Sequence, residues 1–98
     1  MSRFRIASSA ARDLADITAY LVEEDPAAAL RVLSRLRETM ARLGRHPGIG
    51  HRRPDLTDDP ALRFWPVYSW LIIYEANVRP IRVVRVLRGE RDIESLLP

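Results

Sequence analysis

Five arginines fall at three-residue steps near the end of the chain, at positions 79, 82, 85, 88 and 91, and the 16 basic residues include no lysine. A guanidinium is planar, stays charged at physiological pH and forks onto carboxylates and phosphates. The row is therefore suited to holding an anion, either a phosphate backbone or the acidic side chains of a protein. Arg52, Arg53 and Arg63 extend the cationic set upstream. Arginine is a poor proton shuttle at its ordinary pKa. Cleaving RNA through its 2′-hydroxyl needs a base, an acid for the leaving oxygen and cations for the phosphorane. In this chain the acid and base would have to come from His46, His51, Tyr68 or Glu75, and no Tyr or His follows Tyr74.

Other chemistries lack their residues. There is no cysteine and there are two histidines, so a structural zinc site and thiolate chemistry are not expected, and no cofactor or metal is called for. No Gly-x-Ser-x-Gly elbow is present, and the glycines of the 44–60 stretch lack the Lys-Ser/Thr ending of a phosphate loop. Glu23-Glu24-Asp25 and Asp58-Asp59 read as a helix end and a solvated loop rather than a carboxylate pair. The net charge of +3, with thirteen acids interspersed, permits an anionic partner without specifying one. Without a groove-entering element, sequence-specific DNA binding is not expected.

The elements that must position these residues follow from spacing. Phe4 and Ile6 alternate with Arg3 and Arg5, which predicts a short strand. Ser8-Ser9 offers an N-cap to a helix whose apolar stripe is Leu14, Ile17, Tyr20 and Leu21. Asp25-Pro26 starts a second helix, with Ala29, Leu33, Leu36, Met40 and Leu43 on one face and Gly44 as its C′ residue. The two should form an antiparallel hairpin. Residues 44–60 read as a long loop, and Leu62–Asp92 as a meander of three strands. Pro66 points to an edge position or a strand end for the first of these. Tyr68–Glu75 is apolar on both faces, with Tyr68, Trp70, Ile72 and Tyr74 on one and Leu71 and Ile73 on the other. Both faces of the sheet must then be covered. In the last strand, simple alternation puts Ile81, Val83, Arg85 and Leu87 on one face and requires a partner, a partly open site or a ligand for Arg85. A tail helix carrying Ile93, Leu96 and Leu97 would cover part of the second face. The expected fold class is α+β, ordered β-α-α-β-β-β with a short C-terminal helix and the hairpin packed on an antiparallel sheet. At 98 residues one domain, 1–98, is the reading. No run is long enough to span a membrane and the first residues lack a signal peptide's apolar centre, so a cytoplasmic location is expected.

That order, together with His46-Pro47-Gly-Ile-Gly-His51-Arg-Arg-Pro-Asp-Leu56, Leu62-Arg63-Phe-Trp-Pro66, Tyr74 and Arg85-Val-Leu-Arg-Gly-Glu-Arg-Asp92, resembles the RelE/ParE superfamily of bacterial toxins over nearly the whole chain. The resemblance implies the toxin of a type II toxin-antitoxin pair, neutralised by a small antitoxin. Its two main branches are ribosome-dependent mRNA endonucleases, like RelE, and inhibitors of DNA gyrase, like ParE. RelE-type nucleases often place a Tyr or His at or after the last strand, where this chain has Arg88, Glu90, Arg91 and Asp92. The ParE-like branch is accordingly preferred, a gyrase inhibitor without a catalytic site, with a RelE-like nuclease as the alternative. The expected partners are a ParD-like antitoxin, in a hetero-oligomeric complex, and DNA gyrase. The target- or antitoxin-binding set is Arg52, Arg53, Arg63, Trp65, Arg82, Arg85, Arg88 and Arg91. The antitoxin groove is expected to use Leu14, Tyr20, Leu21, Leu36, Met40 and Trp70, with Trp65 and Trp70 on the sheet face opposite the hairpin.

Overall fold

The computed structural model describes residues 3–90 and 92–97. Strand β1 (Phe4–Ile6) leads into helices α1 (Ser8–Glu24) and α2 (Pro26–Arg45) and a single 3-10 turn, Pro47–Ile49. Strands β2 (Leu62–Val67), β3 (Trp70–Glu75) and β4 (Ile81–Arg88) follow, then helix α3 (Ile93–Leu96). The expected α+β class and element order hold. The sheet order is β1-β4-β3-β2. The meander strands pair antiparallel, and β1 adds itself parallel to β4, a pairing that alternation in one short strand could not reveal. Pro66 does lie on an edge strand.

One residue, Asp25, links the helices. Its carboxylate accepts from the amides of Ala27 and Ala28 at 3.1 and 3.3 Å, capping α2, while its own N–H closes α1 onto the Leu21 carbonyl. Ser8 and Ser9 do not cap α1. The N-cap is Ala7, and the Ser9 hydroxyl instead donates to the Val84 carbonyl of β4 at 2.7 Å. Gly44 is not a C′ residue either, since α2 runs on to Arg45. It is needed for close approach: a Cβ there would lie 2.3 Å from the Arg3 carbonyl oxygen.

The sheet separates two apolar cores. On the helix side Ile17, Leu21, Leu36, Met40 and Leu43 pack against Trp70, Ile72, Tyr74, Ile81, Val83 and Val86. On the other side Leu62, Phe64, Leu71, Ile73, Val84 and Leu87 are covered by Ile93, Leu96 and Leu97, and by Leu56 from the loop. Tyr68, expected inside β3, is instead 65% exposed in the β2–β3 turn at φ 53.

The alternation expected for β4 fails at a β-bulge. Tyr74 of β3 pairs with Val83 but Ile73 pairs with Arg85, leaving Val84 as an extra residue. The faces exchange at that point. Ile81 and Val83 face the helices, Val84 and Leu87 belong to the second core, and Val86 returns to the helix side.

Candidate functional site

Strand β1 covers only the start of β4, from Ile81 to Val83, so the bulged half of β4 presents unpaired backbone groups. Helix α1 meets them with side chains one turn apart. Ser9 takes the Val84 carbonyl, and Asp13 Oδ2 accepts from the Val86 N–H at 2.9 Å. The same carboxylate receives a two-point fork from Arg85, Nε to Oδ2 at 2.8 Å and Nη2 to Oδ1 at 2.9 Å. Arg85 Nη1 donates to the Leu96 carbonyl at 3.1 Å. Of the partner, open site or ligand that its position calls for, Arg85 has a partner, and one side chain ties α1, β4 and α3 together. Asp13 raises the guanidinium's pKa further, mainly through this hydrogen bonding, and burial opposes it. Nothing in the spacing singles out Asp13 as that partner, because the approach of α1 to β4 is a tertiary feature.

The other described arginines of the row also have partners within the chain, Arg79 on the carbonyls of Ala76 and Val78. Arg82 donates to Glu75 at 2.5 Å and Arg88 to Glu90 at 2.7 Å. Arg88 also lies over the rings of Trp70 and Tyr20, at 5.7 and 6.0 Å. The Arg88 guanidinium holds Glu90 below the usual carboxylate range. Arg91 lies outside the described residues. In the loop, Arg53 forks onto Asp55 and Arg52 is exposed.

Tyr74 is fully buried beneath the 3-10 turn. Its hydroxyl accepts from the Gly50 N–H at 2.9 Å and donates to the Pro47 carbonyl at 2.7 Å, while Arg63 Nη1 donates to the Gly50 carbonyl at 3.2 Å. Burial pushes the Tyr74 pKa above 10.0. A Cβ at Gly50 would fall 2.3 Å from the Tyr74 hydroxyl, so glycine is what lets the turn sit on β3. The Arg63 Nε is buried without a hydrogen-bond partner among the described residues. Tyr74 is thereby committed to structure, and of the possible acids and bases Glu75 is held by Arg82 and Tyr68 lies exposed in the β2–β3 turn. His51 stacks on Trp65 at 5.4 Å, and its backbone pairs with Phe64.

The expected antitoxin residues divide among separate places. Leu14, Leu36 and Met40 line a groove between the helices with Ile6 and Leu33. Tyr20 and Trp70 line a second pocket with Asp13, Asp16, Val86 and Arg88, at the open end of β4. Leu21 is core, 7% exposed, and Leu36 and Met40, each 1% exposed, are core residues that form only the floor of the first groove. Trp65 and Trp70 are on the hairpin side of the sheet, not opposite it, because they share a pleat face with Ile72 and Tyr74. A third groove, about 470 Å³, runs between the second half of α2 and β2. Its arginines, Arg35, Arg42 and Arg45, were missed by reading strand arginines alone, although their steps of seven and three place them on one helix face. Among the described residues there is no cluster suited to a metal and no helix long and apolar enough to cross a membrane.

Residues 4–93 match the family described as the ParE toxin of the type II toxin-antitoxin system parDE. The chain is 31% identical over 65 residues to Toxin ParE3 of Caulobacter vibrioides, across 66% of this chain and 63% of that protein's length, under two thirds of the relative. The fold is shared with a solved structure titled as the chromosomal ParDE system from P. aeruginosa. The TM-score is 0.73 at 22% identity, over 89% of this chain and 95% of that one.

Proposed function

We propose, starting from a chain that belongs to the ParE toxin family of type II toxin-antitoxin systems, that it arrests growth by binding and inhibiting DNA gyrase and is neutralised by a ParD-like antitoxin. The observation that carries the non-catalytic reading is the end of the last strand. Arg82, Arg85 and Arg88 are each paired with a carboxylate of the chain, Glu75, Asp13 and Glu90, and the sequence supplies no Tyr or His after Tyr74 to transfer a proton there.

Two grooves suit an antitoxin segment. The interhelical groove at Leu14, Leu36 and Met40 takes apolar side chains, and the pocket at Tyr20, Trp70 and Arg88 takes an aromatic or acidic anchor at the open end of β4. Of the remaining cationic residues, Arg52 is free to meet a target, and Arg53, Arg63 and Trp65 frame the neighbouring loop surface.

The test is purified toxin, freed of its antitoxin, in parallel gyrase-supercoiling and ribosome-bound mRNA assays. The expected result is inhibited supercoiling or stabilised cleaved DNA with intact mRNA, reversed by the product of the neighbouring reading frame. Codon-dependent mRNA cutting with unaffected gyrase would overturn the proposal in favour of a RelE-like nuclease.

A further inference from the structure

The groove between α2 and β2 is set apart from both antitoxin grooves by its residues. Arg35, Arg42 and Arg45 line one wall, and Trp65 and Tyr68 belong to the other. None of the three arginines forms an ion pair among the described residues, in contrast to the arginines of β4. Arg42 and Arg45 lie in the last turn of α2, where they offset the partial negative charge of its carbonyl end. That weak role leaves most of their hydrogen-bonding capacity unused. From Arg35 to Arg45 the helix rises roughly 15 Å, long enough for a track of charges rather than a single point. Glu38 is the one carboxylate on the lining.

The aromatic wall is built as well as charged. Arg42 lies 5.4 Å from the Trp65 ring centroid, and His51 stacks on Trp65 with an interplanar angle of 5°. Tyr68 is held at φ 53, a left-handed conformation that costs a non-glycine residue about 1 kcal/mol or more. The strain presents its ring to solvent at the groove's end, 65% exposed, where glycine would make the same turn without it.

We propose that this groove binds single-stranded nucleic acid without sequence preference, the phosphates tracking Arg35, Arg42 and Arg45 and a base stacking on Tyr68. Guanidinium forks suit carboxylates and phosphates alike. With Trp65 engaged by His51 and Arg42, the exposed face of Tyr68 decides for nucleic acid over an acidic peptide, because bases have a flat π-face to stack and Asp and Glu do not. The inference does not depend on the identity of the antitoxin or on gyrase as the target.

The experiment is fluorescence anisotropy of a fluorescein-labelled twelve-nucleotide oligothymidylate with the full chain, repeated across salt concentrations. Saturable binding is expected, with a log–log salt slope of about −2 for three phosphate contacts. The double variant Arg42→Gln/Arg45→Gln should weaken binding about tenfold or more. Tyr68→Gly, which removes the ring and suits the turn, should weaken it roughly fivefold to a hundredfold. Arg12→Gln/Arg31→Gln, an equal loss of charge elsewhere, should leave affinity within about twofold, and unfolding midpoints of all variants confirm that each is folded. Absence of saturable binding, parent-like affinity in both groove variants, or equal weakening by the control pair would overturn the proposal. So would tighter binding of a poly-glutamate peptide, which would make this an acidic-peptide groove, or equal binding of duplex DNA.

Discussion

Arg85 is one residue doing the work of a joint. Its partner Asp13 is 11% exposed, so removing the guanidinium leaves a carboxylate shut away from water. Arg85→Ala should cost about 3 kcal/mol of stability. Because both side chains belong to one network, the Asp13→Ala/Arg85→Ala double variant should cost less than the sum of the singles by at least about 1 kcal/mol, measured by urea unfolding. Additive losses would mean that the two residues act separately. Tyr74 makes a different prediction. Its folded pKa lies above the ordinary 10.0, so in alkaline solution the unfolded chain releases a proton that the folded one retains. The Tyr74 contribution is fully present below the unfolded value and is lost as pH rises through the folded pKa. Tyr74→Phe should lower stability by about 1–3 kcal/mol at neutral pH, because the Gly50 N–H and Pro47 carbonyl lose their partner. It should also flatten the decline of the urea midpoint as pH rises above the ordinary tyrosine value of 10.0.

Elements here meet at backbone contacts that leave no room for side chains. Gly44 in α2 touches the backbone of Arg3, just before β1, and provides a clean test. In an exposed helix interior, glycine to alanine stabilises by about 1 kcal/mol. Gly44→Ala should instead destabilise by about 1–3 kcal/mol, because its Cβ would meet a carbonyl oxygen rather than a yielding side chain. A raised unfolding midpoint would show that β1 moves aside freely. The junction of α1 with β4 follows the same logic of close approach. Ser9 and Asp13 serve as hydrogen-bonding substitutes for a neighbouring strand, closing the edge that β1 is too short to reach.

The whole molecule is a sheet covered on both faces, and the thinner cover is the more exposed to mutation. Ile93 is 3% exposed and anchors the four-residue α3 over Leu71, Ile73 and Leu87. Ile93→Ala should cost about 2–5 kcal/mol, while its exposed neighbour changed as Glu94→Ala should stay within about 0.5 kcal/mol, both read from urea midpoints. Equal, small effects would mean that the second core does not depend on α3.

Periodicity in the sequence determined the α+β class, the helix pair capped at Asp25, the edge or strand-end position of Pro66 and the need for cover on both sheet faces, because each rests on local spacing or on one residue's backbone chemistry. The demand at Arg85 for a partner, a partly open site or a ligand was also legible, since a guanidinium in an apolar row cannot stand dry and unpaired. Which of these meets it, and through which residue, was not. The bulge at Val84 exchanges the faces of β4, and no alternation rule registers an extra residue whose cause is the pairing of two distant strands. Which sheet face the hairpin covers is not contained in the alternation either, so Trp65 and Trp70 fall on the hairpin side rather than opposite it, and packing puts Tyr20 beside Arg88 rather than with Leu36 and Met40. Only the tertiary structure decided which arginines are matched by the chain's own carboxylates and which, at Arg35, Arg42 and Arg45, remain open to a ligand. Charge pairing depends on distances between elements, which spacing along one element does not contain.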